Sequence, residues 1–411
     1  MSNTKTPARS GPLTDLRVIE MGQLLAGPFC GQLLADFGAD VIKIEQPNVG
    51  DPMRQWGADR ADGHSLWWSV VARNKQSVTL DLRREEGQQI VRELAAHADV
   101  LLENFRPGTL ERWNLGYDLL SEINPRLVMV RVSGYGQDGP YASRAGYGAI
   151  GEAMGGLRYT TGDPDKAPSR TGISIGDSLA AVYATMGTMF ALHARERTGR
   201  GQVVDAAIYE SVLAMMESLV IDYDVADYTR ERTGAILPKI SPSNVYPCTN
   251  GESILIAANM DTVFRRLTQV MGRPELADDE RYNNHGARGA RQTELDELIA
   301  AYTATRDAQE LLDELETAGV PAGRIYRASD MLTDPHFLAR EAITRVMHPA
   351  LGDVAMQNIT PRLSATPGEI RHVGPKLGEH NLQVLADVLG YSQEQVADLI
   401  TEGIVGEPPQ T

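Results

Sequence analysis

Cysteine is nearly absent. The 411 residues contain two, Cys30 and Cys248, each among apolar or turn residues, which excludes a disulfide framework and a cysteine metal cluster and fits a reducing, cytoplasmic setting. Basic residues are in deficit: 39 Lys and Arg stand against 55 Asp and Glu, a formal charge of −16. That balance argues against nucleic acid or an anionic membrane as partner, because phosphate binding needs a basic face. A small anionic ligand stays open wherever a few arginines converge. No apolar run approaches the roughly 20 residues that span a bilayer. The opening MSNTKTPARSGP lacks the apolar stretch of a signal peptide, so residues 1–12 read as a flexible tail. Repeats and H-E-x-x-H are missing too. His336, His348 and His372 stand far apart on polar stretches and read as solvated, so no metal site is expected.

What is present is a turn-rich globular composition, 42% hydrophobic with 39 Gly and 22 Pro, long enough for two domains or one elaborated α/β unit. From Leu16 the pattern is β-α-β. A strand at Arg17–Glu20 meets a turn with Gly22 and Gly27, then a helix entered at Pro28 and stopped near Gly38, then a strand from Asp40 to Ile44. The spacing is not G-x-G-x-x-G, so the turn by itself reads as a plain strand-to-helix connection. Further strands are expected at Val78–Leu82, Asp99–Leu102, Leu127–Val132 and Gln202–Ala206. Their polar loops, including Glu103 to Gly108 and the Gly- and Tyr-rich segment through Tyr147, would share the sheet edge where α/β proteins bind ligands. Past Tyr228 the prolines at 238, 242 and 247 mark a linker into a second unit, with a strand at Ser253–Ala258 and charged helices around Asp261–Met271 and Gln292–Leu315. A Pro/Gly hinge at 318–323 leads into short strands and a terminal helix, Glu379–Leu389.

The stretch Arg170 to Ala181, R-T-G-I-S-I-G-D-S-L-A-A, delivers Asp177 from a glycine turn into an apolar helix reaching about Arg195. Ile173, Ile175, Leu179, Ala180 and Ala181 around it suggest a poorly hydrated carboxylate. Taken alone, Asp followed by Ser and an apolar run also describes a helix N-cap.

With these pieces in order, the chain resembles the class III CoA-transferase family, which includes formyl-CoA transferase and carnitine CoA-transferase, with the α-methylacyl-CoA racemases as relatives. The resemblance runs from Leu13 to about Leu399. It is carried by L-A-G-P-F at Leu25 to Phe29, G-A-D-V-I-K-I-E at Gly38 to Glu45, E-N-F-R-P-G at Glu103 to Gly108, Gly176-Asp177, and T-G-R-G-Q at Thr198 to Gln202. It implies an α/β fold: a large Rossmann-like domain over 13–229, a smaller α/β domain with linkers inserted at 230–325, and a return segment, 326–411, completing the large one. It also implies a homodimer of two interlocked chains.

The resemblance further implies that Asp177 is the nucleophile, forming an aspartyl anhydride and then an enzyme-CoA thioester, with Tyr147 as an active-site donor. CoA contacts carry over onto Leu25, Ala26, Leu80, Arg83, Asn104, Phe105, Arg106 and Arg112. Acyl-CoA and a free carboxylic acid are then the substrates, with no permanently bound cofactor. The donor expected is succinyl-CoA and the acceptor a dicarboxylate, suggested by the segment Ile240 to Pro247, with Arg54, Arg73 or Arg170 as partners for a distal carboxylate. Gln46, where formyl-CoA transferase has arginine, and Ala257-Ala258-Asn259-Met260, where it has a glycine-rich lid, speak against formate or oxalate. Two rival readings are a 2-methylacyl-CoA racemase, which carries a histidine where this chain has Tyr147, and a non-catalytic acyl-CoA-binding protein, which would have no use for Asp177.

Overall fold

The computed structural model describes residues 9–57, 65–407 and 409; of the tail expected over 1–12, residues 1–8 lie outside the described residues. Its centre is a six-stranded sheet of β1 (Arg17–Glu20), β2 (Asp40–Glu45), β3 (Lys75–Thr79), β4 (Val100–Glu103), β5 (Val128–Ser133) and β6 (Val203–Ala207). The spatial order is β3-β2-β1-β4-β5-β6, and every pairing is parallel. The order reverses between β1 and β4, which opens a crevice beyond the carboxyl ends of those two strands.

Alternate residues of each strand feed two cores, as a sheet covered on both faces requires. Val18, Val41, Val100, Leu102 and Val130 pack on one side with the helices Ala26–Asp36 and Ile175–Thr198. Ile19, Ile42, Ile44, Leu101 and Met129 pack on the other with the helix Glu85–Ala96 and the C-terminal helices Asn381–Leu389 and Gln393–Thr401.

Helix Ile175–Thr198 is long and apolar enough to cross a membrane by length and composition, although no uninterrupted apolar run of that length exists in the sequence. Here it packs on β5, β6 and the helix Ala26–Asp36, burying Ala180, Ala181, Ala184, Thr188, Ala191 and Leu192. Arg195, near its far end, donates to the carbonyl of Arg126 and to Asp99, at the amino ends of β5 and β4. The helix therefore begins at the carboxyl edge of the sheet.

The chain divides into two compact units: Met1–Arg158 with Thr171–Ser218 and Ala339–Thr411, and Tyr159–Arg170 with Leu219–Leu338. The second unit thus extends beyond the 230–325 division read from the sequence. It holds a three-stranded antiparallel sheet, Ser243–Pro247, Ser253–Ala257 and Ala322–Arg324, and the helices Asp261–Val270, Gln292–Thr303 and Ala308–Thr317.

Several boundaries differ from expectation for identifiable reasons. β3 occupies Lys75–Thr79 instead of Val78–Leu82, because Lys75 enters the sheet fully buried with its ammonium 2.7 Å from Glu20. The helix expected over Gln292–Leu315 breaks, and Asp307 caps the second piece by accepting from the N–H groups of Gln309 and Glu310. The segment Gly148–Met154, for which the sequence pattern suggests no element, is helical. His348 is buried, not solvated; its Nδ1 accepts from the N–H groups of Ala350 and Leu351 in a hairpin turn. Cys30 and Cys248 are both free thiols, buried in different units.

Candidate active site

Asp177 does not cap its helix. Ser174 occupies that position, and Asp177 lies in the first turn, where a carboxylate is stabilised by the helix dipole. Its side chain rests against Gly148: a Cβ built on Gly148 would fall 2.1 Å from Oδ2 and 2.6 Å from Cγ. Three glycines on one face of the helix Gly148–Met154 and its end make this approach possible. A Cβ on Gly151 would meet Ile208 at 2.4 Å, and one on Gly155 would meet Val212 at 2.6 Å. Gly176 packs on the same helix beside Gly148 and Glu152, its N–H donating to Glu152 Oε1 at 3.4 Å. Glu152 is buried and paired with Arg158 at 2.7 Å. None of these supporting residues was singled out from the sequence; the G-x-x-G-x-x-x-G spacing at 148, 151 and 155 was the available signal.

Asp177 is only half buried, and Ile173 is 61% exposed. The dry setting inferred from neighbouring apolar residues is therefore not found in the single chain, because Ala180 and Ala181 turn toward the sheet while Ile173 precedes the helix and faces out. Tyr147, immediately before Gly148, is half exposed. Partial burial and then the charge of Asp177 hold its phenol above the ordinary value, so it stays protonated and able to donate.

The first turn and the loop after β4 meet at the crevice. Asn104 Oδ1 accepts from the N–H of Gln23 at 2.7 Å and its Nδ2 donates to the carbonyl of Gln23 at 2.8 Å. Leu25 and Ala26 open the helix that follows, whose first turn has neither an acidic residue nor a side-chain cap. Beneath the turn lies a buried ion network. Lys43 Nζ contacts Glu20 at 3.0 Å and Asp51 at 2.9 Å, and Lys75 Nζ contacts the other oxygen of Glu20. The two ammonium groups also donate to the carbonyls of Gly22 at 2.8 Å and Pro28 at 2.6 Å. Burial opposes charge on Lys43, yet Glu20, Asp51 and Glu45 raise its ammonium above the ordinary value. Burial likewise pushes Asp51 up, and Lys43 more than reverses this.

The other expected CoA contacts are dispersed along the same carboxyl edge. Phe105 packs edge-on against Trp113, ring centroids 5.3 Å apart, and is partly buried. Arg106 and Arg112 are exposed, with Arg112 donating to Thr109 at 3.0 Å. Arg83 is exposed beside Asp81, at 3.0 Å. Leu80 is buried in the core, its N–H donating to the carbonyl of Glu45. Gln46 follows β2, its carbonyl accepting from the N–H of Gly50.

Two of the three arginines considered for a distal carboxylate are committed elsewhere. Arg54 pairs with Glu45 at 2.8 Å and stacks on Trp68, while buried Arg73 grips Asp36 through Nε and Nη2. Arg170 is exposed and belongs to the second unit, as does Ala257–Met260, where Ala258 is buried and Met260 exposed. Among the described residues no cluster of His, Cys, Asp or Glu could hold a metal ion.

This architecture has close counterparts among known proteins. A CaiB/BaiF family protein from Brucella suis superposes with a TM-score of 0.81 at 36% identity, over 92% of this chain and all of that one. Succinyl-CoA–D-citramalate CoA-transferase of Chloroflexus aurantiacus is 56% identical over 98% of this chain and its own full length. The β subunit of succinyl-CoA–L-malate CoA-transferase from the same organism is 42% identical over 96% of this chain and 98% of that one. The family model for CoA-transferase family III matches residues 13–381. With its parallel sheet, its switch-point crevice and these matches over nearly its whole length, the chain belongs to CoA-transferase family III.

Proposed function

We propose that this enzyme moves CoA from succinyl-CoA to a malate-type dicarboxylate, with Asp177 as nucleophile and Tyr147 as a hydrogen-bond donor beside it. The observation that carries the reading is the seat of Asp177, a carboxylate held against Gly148 at the sheet's carboxyl edge. It stands in a chain 56% identical to a transferase named for succinyl-CoA and D-citramalate. Citramalate and malate are both dicarboxylates with a hydroxyl on carbon 2, which defines the acceptor class.

An Asp177 oxygen attacks the thioester carbonyl carbon, the C–S bond breaks, and CoA leaves as thiolate from a succinyl-aspartyl anhydride. The thiolate attacks the aspartyl carbonyl, expelling succinate and leaving CoA in thioester linkage to Asp177. An acceptor carboxylate oxygen displaces that thiolate, and the thiolate then attacks the acceptor's carbonyl in the new anhydride, releasing Asp177 and the product CoA ester. The steps balance without ATP. Tyr147, protonated at neutral pH, donates to the oxyanion formed at each attack.

In the same reading, Leu25, Ala26, Asn104 and Phe105 serve the adenine and pantetheine of the CoA substrate, and Arg83, Arg106 and Arg112 its phosphates; Leu80, buried in the core, supports them from behind. The uncapped helix start at Ala26 favours an anion. The small domain is inserted in the large one, and two chains interlock as a homodimer. An apolar groove of about 390 Å³, lined by Leu33, Phe37, Val182, Met186, Met189 and Leu363 among others, supports a second copy as cover for the outer face of helix Ile175–Thr198. Light scattering on the purified protein should return twice the 44.8 kDa chain mass.

The function is tested by supplying succinyl-CoA with D-citramalate, L-malate, glutarate, oxalate and formate, and reading the CoA esters by mass spectrometry. The reading expects the 2-hydroxy dicarboxylates to accept fastest. Preference for formate or oxalate would overturn the acceptor assignment.

A further inference from the structure

The turn joining β1 to its helix is held residue by residue from outside itself. Lys43 of β2 donates to the carbonyl of Gly22, Asn104 brackets the backbone of Gln23 on both sides, and Asp51 accepts the N–H of Leu24 at 3.0 Å. Leu24 has a φ of +63°, the left-handed region that leucine adopts only when its surroundings impose it. What imposes it is visible. Asp51 is fixed by Lys43 at 2.9 Å, by the N–H of Met53 at 2.8 Å, and by its own N–H donating to Glu45 at 2.9 Å. A turn needing only to be stable would place glycine at such a position, and burying Lys43, Glu20 and Asp51 together is a poor route to stability alone. Strain of this kind is characteristic of ligand sites, and this turn stands at the crevice where the strand order reverses.

We propose that Lys43 and Asp51 are positioning residues for CoA: their contact holds Leu24 left-handed, and so fixes the direction in which Leu25 and Ala26 are presented to the substrate. This rests on the assignment of Leu25 and Ala26 to the CoA site made above. Neither Lys43 nor Asp51 needs to touch CoA. The effect passes through three consecutive peptide groups.

The experiment measures free coenzyme A binding by calorimetry, with the thermal midpoint recorded for each variant. Lys43 itself is left in place, since removing it strands two buried carboxylates. Asp51→Ala is expected to weaken CoA binding at least tenfold, and adding Leu24→Gly, which adopts a positive φ unaided, to restore most of the loss. Leu24→Gly alone should bind like the wild type. Leu24→Val, β-branched and poorly suited to a positive φ, should weaken binding without depending on any change to the buried network.

Wild-type affinity in a folded Asp51→Ala and in Leu24→Val, or a double variant no better than Asp51→Ala, would overturn the inference. The triple variant Arg83→Ala/Arg106→Ala/Arg112→Ala, at exposed positions assigned to the CoA phosphates, separates the two levels of the argument. If it leaves CoA binding unchanged, the CoA site is elsewhere and both readings fail; if it weakens binding while Asp51→Ala and Leu24→Val do not, the site stands and the positioning role is wrong.

Discussion

The carboxylate of Asp177 lies against the α-carbon of Gly148, with a hypothetical Cβ only 2.1 Å from Oδ2. Any larger residue at 148 must push the carboxylate aside. Gly148→Ala is therefore expected to lower kcat on the order of 10²-fold, the scale of a displacement of about 1 Å in a reacting group. Because a side-chain end is what has to move, stability should change by only about 1 kcal/mol. Steady-state kinetics beside a thermal melt distinguish this from simple unfolding.

Tyr147 sits next to that glycine and is half exposed. In the proposed mechanism its phenol would donate from an open position, so Tyr147→Phe should cost about tenfold in kcat, below the 10²–10³ typical of a buried oxyanion donor, with little change in KM. An unchanged kcat would remove Tyr147 from the reaction.

Arg73 illustrates a buried arginine with a structural duty. Its guanidinium binds Asp36 and the carbonyl of Gln357, at 2.8 Å for the latter, tying the returning chain to the first helix. Arg73→Ala leaves Asp36 buried without its cation, and should destabilise the fold by about 3–5 kcal/mol. Urea unfolding measures this; a change below about 1 kcal/mol would leave Arg73 available for substrate.

His372 and His380 line one cleft with Arg371 and Asp40. Burial depresses both imidazoles below 6.5, with Arg371 adding to the effect at His372 and Glu379 opposing it at both. The unfolded chain therefore takes up protons that the folded chain refuses. Stability is complete above the unfolded value and is lost as pH falls through the depressed folded values. Urea midpoints should decline as pH drops below 6.5. His372→Gln/His380→Gln should show a shallower decline.

How far the fold was legible follows from particular residues. The unit from Arg17 to Glu45 could be read directly, because apolar alternation, Pro28 and Gly38 all agree with the structure. β3 was displaced in the reading because Lys75 is a buried lysine whose partner, Glu20, lies far away in sequence. The helix Gly148–Met154 was hidden by the glycines that let it approach Asp177 and Ile208, since glycine reads as a helix breaker wherever close packing is not known. At the candidate site, Asp177 stood out through motif resemblance, its local sequence being equally that of a cap. Asn104 was read as a ligand contact, and its hold on Gln23 could be seen only once β1 and β4 were known to be neighbours. Arg54 and Arg73 offered themselves as ligand cations until Glu45 and Asp36 appeared beside them.

The most direct test is to mix the protein with succinyl-CoA in the absence of acceptor, quench in acid, and map peptides by mass spectrometry. CoA should be found in thioester linkage on Asp177, and Asp177→Ala should carry no adduct and catalyse no transfer. Transfer at the wild-type rate by Asp177→Ala, or CoA attached to a different residue, would contradict the account.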